Sequence, residues 1–284
     1  MKLAVITDEI DADLGRALDV MAEYGVRGAE LRQLWDKNIS DAPQEYWQRA
    51  KRELDSRGMT VAGIASPFYK CALPGAEPDG PAGPLHGATA RGLGDQISLL
   101  ERCVEAAQFF DTKLIRTFSF WRNGLLTPAQ EETIADAYAE PSEIAARAGI
   151  VLGIENEHDC CLATGAQTAR VLEEIHSPAV QAIWDPGNAF MAGELPFPTG
   201  YEALKDFIVH VHIKDARVAP GALLPEWTVV GEGAIDYAGQ LAALKQSGYD
   251  GWISLETHHR GHSTKEAASR ASLEGLQRLL AATG

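Results

Sequence analysis

The chain has 284 residues, of which 45% are hydrophobic and 23% are charged, and its formal net charge at pH 7 is −15. This composition is ordinary for a soluble enzyme and supplies enough apolar residues for a large core. The negative field repels a phosphate backbone, so the sequence predicts no nucleic-acid partner.

The sequence gives no sign of a targeting or membrane segment. Residues 1–9 are apolar only briefly and then acidic, unlike a signal peptide. No stretch approaches the roughly 18 consecutive apolar residues that a membrane helix needs. The cysteines fit a reduced protein better than a disulfide framework, and they are Cys71, Cys103, Cys160 and Cys161. We therefore expect a cytoplasmic protein with no membrane partner.

Eight short runs rich in β-forming residues recur along the chain, and segments of helical periodicity separate them. The runs are Leu3–Thr7, Gly28–Leu31, Thr60–Ile64, Lys113–Phe118, Ile150–Glu155, Val180–Asp185, Ile208–Ile213 and Gly251–Glu256. Capping residues predict helix starts at Thr127, Thr164 and Ser263-Thr264, and Gly149 predicts a helix end. Apolar strands that alternate with helices are typical of a parallel sheet buried on both faces.

Eight such units predict a closed (βα)8 TIM barrel, an α/β fold, as a single domain over residues 1–284. An open doubly wound sheet is the alternative, but the first strand lacks the glycine-rich turn of that fold. Two connections, residues 70–91 and 216–232, are too long for simple turns and follow the third and seventh strands. They are therefore predicted to be functional lids or disordered loops at the carboxyl ends of the strands.

Four motifs at strand ends supply three carboxylates and one histidine. They are GIEN at 153–156, WDPGN at 184–188, HVHIKD at 210–215 and SLETH at 254–258. Parallel strands lie about 4.8 Å apart and their carboxyl ends meet at one mouth, so four such side chains can converge on a single ion. The predicted ligands are Glu155, Asp185, His212 and Glu256. Such a set favours Mn²⁺, Mg²⁺ or Co²⁺, and Zn²⁺ is also compatible.

Four further residues near the predicted ligands are candidates for the site. His210 and His212 point the same way from one strand, so either could bind the ion. We choose His212 because it is nearer the carboxyl end, and His210 then becomes a deeper supporting or substrate-binding residue. Lys214 could bind a substrate hydroxyl or serve as an acid, or it could form an ion pair with Asp185 or Asp215 at the barrel rim. Glu157 and Trp227 are further pocket candidates, with the indole ring suited to stacking on a sugar.

The four motifs resemble those of the xylose-isomerase-like barrels, a superfamily that includes tagatose/psicose 3-epimerases, inosose isomerases and dehydratases, and endonuclease IV. The resemblance runs from the first strand to the last helix and includes ITDEI at 6–10 and WTVVGEGAIDY at 227–237. It implies one divalent metal ion on the predicted ligands, with Glu155 and Glu256 as acid and base on opposite faces of the sugar. It also implies substrate contacts by Asn188, where the epimerases carry histidine, and by Arg217, one residue out of register.

The resemblance further implies a metal-dependent isomerase or epimerase that acts on a small carbohydrate or polyol through an enediolate, with manganese as one candidate ion. An inosose-type dehydratase is the alternative, since expulsion of water can start from the same enediolate. An endonuclease IV-like repair enzyme would need further histidines where the chain has Ser66, Pro67 and Asn188. A non-catalytic sugar-binding barrel would not need both Glu155 and Glu256. Relatives of this kind are often dimers or tetramers, so a homodimer or homotetramer is our expectation here.

Overall fold

The structure, a computed structural model, describes residues 1–77, 83–259 and 261–283. Its centre is a closed barrel of eight parallel strands that follow one another in chain order. They are β1 (Lys2–Ile6), β2 (Gly28–Leu31), β3 (Thr60–Ile64), β4 (Leu114–Thr117), β5 (Val151–Glu155), β6 (Val180–Trp184), β7 (Ile208–Ile213) and β8 (Trp252–Leu255). All eight predicted runs are barrel strands, so the predicted (βα)8 barrel is confirmed and an open sheet is ruled out.

Helices alternate with the strands and pack their apolar sides into the core. They are α1 (Leu14–Glu23), α2 (Gln44–Ser56), α3 (Gln96–Phe109), α4 (Pro128–Ala137), α5 (Ala139–Ala148), α6 (Gly165–Ile175), α7 (Pro186–Met191), α8 (Tyr201–Leu204), α9 (Tyr237–Gln246) and α10 (Lys265–Ala282). The predicted starts at Thr127 and Thr164 are capping boxes, in which each threonine accepts a bond from a backbone N–H of the first turn. Gly149 ends α5 in the left-handed region, as predicted.

Charged and polar residues gather on the inner face of the barrel towards the carboxyl ends of the strands. On β2, alternate positions place Gly28 and Glu30 inside, and Arg32 follows the strand. On β7, His210 and His212 share the inner face in the same way. The polar side chains of several strands therefore lie together at one mouth of the barrel.

Gly28 is required by close packing near the amino ends of the strands. A Cβ at this position would lie 2.5 Å from the Trp252 ring and 2.7 Å from the Ala4 Cβ. We expect Gly28→Ala to lower the free energy of unfolding by about 1–3 kcal/mol, since neither neighbour can move without repacking the strands. Urea denaturation checks this, with Gly94→Ala as control because nothing lies within 4 Å of its added Cβ. Equal midpoints for both variants would contradict this account of the packing.

The two long connections differ in form. Residues 78–82 of the first lie outside the described residues, and the described part brings His86 towards the mouth, near Arg32 and Arg116. The second contains a two-stranded antiparallel ribbon, Asp215–Arg217 with Glu226–Thr228. In the part of the chain that the structure describes, the helices are too short or too polar to cross a lipid bilayer.

Candidate metal centre

Four side chains from the carboxyl ends of β5, β6, β7 and β8 meet at the mouth of the barrel. Their ligand atoms all lie within 4.8 Å of one another, and each residue is almost fully buried. The four are Glu155, Asp185, His212 and Glu256. Adjacent parallel strands bring their ends side by side, which is why ligands about 30 to 45 residues apart in the sequence converge.

The Lys214 ammonium group lies among the three carboxylates. Its Nζ is 2.7 Å from Glu256 Oε2, 3.1 Å from Asp185 Oδ2 and 3.8 Å from Glu155 Oε1. The contact with Asp185 lacks hydrogen-bond geometry, so Asp185 Oδ2 is buried without a hydrogen-bond partner among the described residues. Lys214 therefore neutralises part of the cluster and leaves one oxygen unsatisfied.

Burial and charge act in opposite directions on the acids of the cluster. Burial raises the pKa of Asp185 to about 7, and the neighbouring carboxylates add to the rise while Lys214 opposes it. Burial also acts to raise the pKa of Glu155, but His212 and Arg116 outweigh it and hold that pKa below its usual value. Asp185 is thus the acid of the group that most resists ionisation, and added positive charge would favour its carboxylate.

A buried carboxylate holds the imidazole of His212 in place. Glu30 Oε1 lies 3.1 Å from His212 Nε2, while His212 Nδ1 lies 3.1 Å from Glu155 Oε1. The same Glu30 contacts His210 Nε2 at 3.0 Å, so the two histidines share one carboxylate. Burial acts to lower the pKa of His212, but Glu30 and Glu155 raise it well above its usual value.

A buried guanidinium connects Glu256 to the amino-terminal part of the chain. Arg32 is 1% exposed and donates to Asp8 Oδ2 at 2.7 Å, to Glu256 Oε1 at 2.9 Å and to Glu9. Our sequence reasoning did not assign Glu30 or Arg32 to the site. The available signal was two charged residues at alternate positions at the end of an otherwise apolar strand.

Three of the remaining predicted residues, Asn188, Glu157 and Trp227, lie beside the cluster. Asn188 is buried and donates to Glu155 Oε1 at 3.3 Å, and its Oδ1 lies 2.9 Å from His158 Nδ1. The same Nδ1 lies 2.7 Å from Glu157 Oε1. Trp227 covers the cluster, with its ring 5.5 Å from Lys214 Nζ.

Two predicted residues lie elsewhere. His210 is deep in the barrel, bonded to Glu30 and Ser254. Arg217 lies on the ribbon with its side chain 49% exposed and bonded to Glu226 at 3.0 Å, because the antiparallel pairing turns it to the surface. The structure therefore groups Asn188, Glu157 and Trp227 with the cluster, and not Arg217.

The cluster fits a hard divalent cation. Three carboxylates and one imidazole form a donor set suited to such ions, and Asp185 Oδ2 is an unsatisfied acceptor in it. The contact between His212 and Glu30 is the arrangement in which a carboxylate orients a metal-ligating histidine. Other groupings, such as Glu9, Glu256 and His258, share ligands with this cluster or are partly exposed.

Comparison with known proteins points to one family. The sequence model of the family described as xylose isomerase-like TIM barrel matches residues 18–279. An inosose dehydratase of Lacticaseibacillus casei is 30% identical over 112 residues, a match that covers 34% of this chain and 37% of the dehydratase. The chain spans about a third to a half of the length of the curated inosose dehydratases that it matches.

Two solved structures have the same fold over their full length. The IolI protein with a bound zinc atom gives a TM-score of 0.77 at 18% identity, covering 100% of this chain and 99% of that chain. A D-tagatose 3-epimerase-like protein gives a TM-score of 0.74 at 20% identity, covering 100% of this chain and 98% of the other. At such identities the likeness establishes the fold and leaves the chemistry to the site itself.

Proposed function

The chain belongs to the xylose isomerase-like TIM barrel family, and we propose that it is a metal-dependent isomerase or epimerase of a ketose, an inosose or a related keto-polyol. The observation that carries this proposal is the convergence of three carboxylates and one imidazole at the mouth of the barrel. The named relatives, an inosose dehydratase and an epimerase-like protein, support a small carbohydrate or polyol as substrate.

The proposed ligands are Glu155, Asp185, His212 and Glu256. A divalent ion bound there would polarise the substrate carbonyl and lower the free energy of the negative charge that develops on it. Mn²⁺, Mg²⁺, Co²⁺ and Zn²⁺ all suit this donor set, and the zinc in the IolI structure supports a divalent ion.

Two carboxylates of the cluster have the environment of an acid–base pair. Glu155 and Glu256 both approach His212 Nδ1, at 3.1 and 3.8 Å, and Arg116 Nη1 approaches both, at 3.3 and 3.7 Å. Positive neighbours keep both groups ionised, so either can remove the proton next to the carbonyl. The same carboxylate or its partner then returns the proton, to another carbon in an isomerase or to the opposite face in an epimerase.

Three further residues would position the acid–base pair or contact the substrate. Asn188 holds Glu155 in position, and the Trp227 ring offers an apolar surface for the face of a sugar. Lys214, fully buried beside Glu256, provides an ammonium group that can donate to a substrate hydroxyl.

Dehydration is the second candidate, and Lys214 is the observation that favours it. Its ammonium is 2.7 Å from Glu256 Oε2, so a proton donor sits beside the proposed base. Protonation of a hydroxyl on the carbon β to the carbonyl would expel water after the α proton is removed. The similarity to inosose dehydratases supports the same outcome.

Metal content and solvent isotope exchange test the proposal. We expect about one divalent ion per chain, by elemental mass spectrometry, on protein prepared without chelator or nickel. Loaded protein should then incorporate deuterium from D₂O next to the carbonyl of an inosose or ketose, as observed by NMR. A product with the mass of the substrate, apart from the added deuterium, indicates isomerisation or epimerisation. A product that is lighter by one water molecule indicates dehydration. No ion after soaking with Mn²⁺, Mg²⁺, Co²⁺ or Zn²⁺ would overturn the proposal, and three zinc ions would favour the endonuclease alternative.

Glu30 is expected to tune the affinity for the ion without touching it. Replacing Glu30 with Gln removes the carboxylate that fixes the imidazole of His212. We expect Mn²⁺ to dissociate about 10–100-fold more readily, the usual consequence of losing such a partner. Calorimetric titration of the metal-stripped chain measures this, and Glu53→Gln, at a partly exposed position of α2 outside the cluster, is the matched control. Unchanged affinity with an intact fold would mean that Glu30 does not position the ligand.

A further inference from the structure

Three cations from the first half of the barrel lie at its mouth. Arg32 follows β2, Lys70 lies in the connection after β3, and Arg116 belongs to β4, whereas the proposed metal ligands come from β5 to β8. Burial lowers the pKa of His86, and the positive charges of Arg32, Lys70 and Arg116 lower it further, so all three cations lie close to one imidazole. The mouth therefore has a group of positive charges that comes from the strands without proposed metal ligands.

Lys70 is the member of this group with the fewest polar contacts. Backbone hydrogen bonds join residues 68–71 to residues 118–121 and hold Lys70, which is 7% exposed, beside the end of β4. Its Nζ lies 3.8 Å from Glu157 Oε2, which is too far for a hydrogen bond. No residue that the structure describes accepts a hydrogen bond from this ammonium, yet its nitrogen is not among the polar atoms that the fold seals from solvent without a partner. An acceptor that reached it would therefore satisfy a charged donor.

Arg116 connects Lys70 to the proposed metal centre. Its guanidinium carbon is 4.8 Å from the centre of the Phe118 ring and Lys70 Nζ is 4.2 Å from the same point, so the two cations lie no more than about 9 Å apart. Arg116 Nη1 is also 3.3 Å from Glu155 Oε2. A divalent ion in the cluster would, together with Lys214, balance the charge of the three carboxylates. The charge of Arg116 would then be left for another anion close to the ion.

The surroundings of Lys70 narrow the class of that anion. Phe118, Trp121 and Cys160 form a small apolar cluster, and the Lys70 ammonium lies 4.2 and 5.5 Å from the centres of its two rings. In such surroundings an attraction between opposite charges is stronger than in water. A carboxylate has one oxygen for the ammonium and one for the guanidinium of Arg116. The further oxygens of a phosphate ester would lie against apolar rings without donors.

We propose that Lys70 and Arg116 bind a carboxylate group of the substrate, so that the substrate is a keto-polyol acid and not a neutral sugar. The carbonyl end of the molecule lies at the metal centre, and the carboxylate lies beside the Phe118 ring, where both cations meet it. This inference rests on the function proposed above, because it takes the mouth of the barrel to be the substrate site. It adds a subsite that selects for charge, at the far side of the mouth from the ligand Asp185 on β6.

A matched pair of probes tests the subsite on the full chain. The probes are 5-keto-D-gluconate and L-sorbose, which share a ketone and three secondary hydroxyls and differ only in a carboxylate or a hydroxymethyl group. Calorimetric titration of the metal-loaded chain should show 5-keto-D-gluconate binding about 10–100-fold more tightly, the usual effect of hydrogen bonds to a charged group. Lys70→Met should remove most of this preference by weakening the binding of the acid alone. Lys51→Met, on the exposed side of α2, is the matched control and should keep the preference.

Three results would overturn the inference. They are equal or weaker binding of the acid, no binding of the acid at millimolar concentration, and a preference that Lys70→Met leaves unchanged. The last result would mean that the carboxylate meets the ion or another cation. If Lys70→Met does not fold, the probe pair on the wild-type chain still decides. The same titrations on the metal-stripped chain keep the two proposals apart: failure of the proposed function appears as binding that does not depend on the ion, and failure of the subsite as a lost difference between the probes.

Discussion

Glu155→Gln should lower the turnover number of the enzyme about 10²–10⁴-fold, the usual contribution of a positioned acid or base. The substitution keeps the shape of the side chain and removes its ability to take a proton. In the structure, Glu155 accepts from His212, Arg116 and Asn188, and a glutamine oxygen can keep part of these contacts. The fold should therefore survive, and steady-state kinetics on the substrate found by deuterium exchange measures the loss.

Controls separate the loss of a base from the loss of the ion. Metal content must be measured on the same Glu155→Gln sample, because glutamine is a weaker ligand than glutamate. Glu143→Gln, an exposed residue of α5, controls for the chemical change itself and should have wild-type turnover. Glu256→Gln should lower the turnover number by a similar factor. In the double variant, the fall in turnover number should be smaller than the product of the two single factors, because the two residues act as a unit. Full turnover by metal-loaded Glu155→Gln would refute the acid–base role.

The barrel and the meeting of the four side chains were predictable from the sequence for one physical reason. The run from Ile150 to Glu155 is apolar until its last residue, so the carboxylate there marks the mouth of the barrel. Strand order in a βα barrel follows chain order, so motifs on successive units must become neighbours.

The contacts that cross the barrel were not predictable in this way. Glu30 on β2 reaches His212 on β7, three strands away around the barrel, and no local pattern encodes that distance. Arg217 is a second case, because the family resemblance implied a substrate contact for this residue from its place shortly after the motif of the seventh strand. The ribbon that it forms with Glu226 turns it to solvent, and such pairing depends on a partner strand nine residues away. Local patterns thus locate strand ends better than they locate long side chains.

Arg32→Met should lower the free energy of unfolding by about 3–5 kcal/mol, the cost of leaving a buried charge without its partner. Methionine fills similar space but donates nothing to Asp8, Glu9 and Glu256, which are all nearly buried. Arg217→Met removes the same group from an ion pair whose members are each about half exposed, and it should cost about 0–1 kcal/mol. Urea denaturation of the metal-stripped proteins measures both.

The pH dependence of the Arg32→Met effect identifies its cause. A buried carboxylate that has lost its guanidinium is destabilising only while it is ionised, so the penalty should be full near pH 7 and shrink as the pH falls. Loss of packing alone would give a penalty that is the same at every pH. Arg32→Lys keeps the charge but cannot make the forked contact with Asp8, so it should fall between the wild type and the methionine variant. A constant penalty, or an equal one for Arg217→Met, would show that Arg32 stabilises the barrel by its bulk and not by balancing the acids that surround the proposed base.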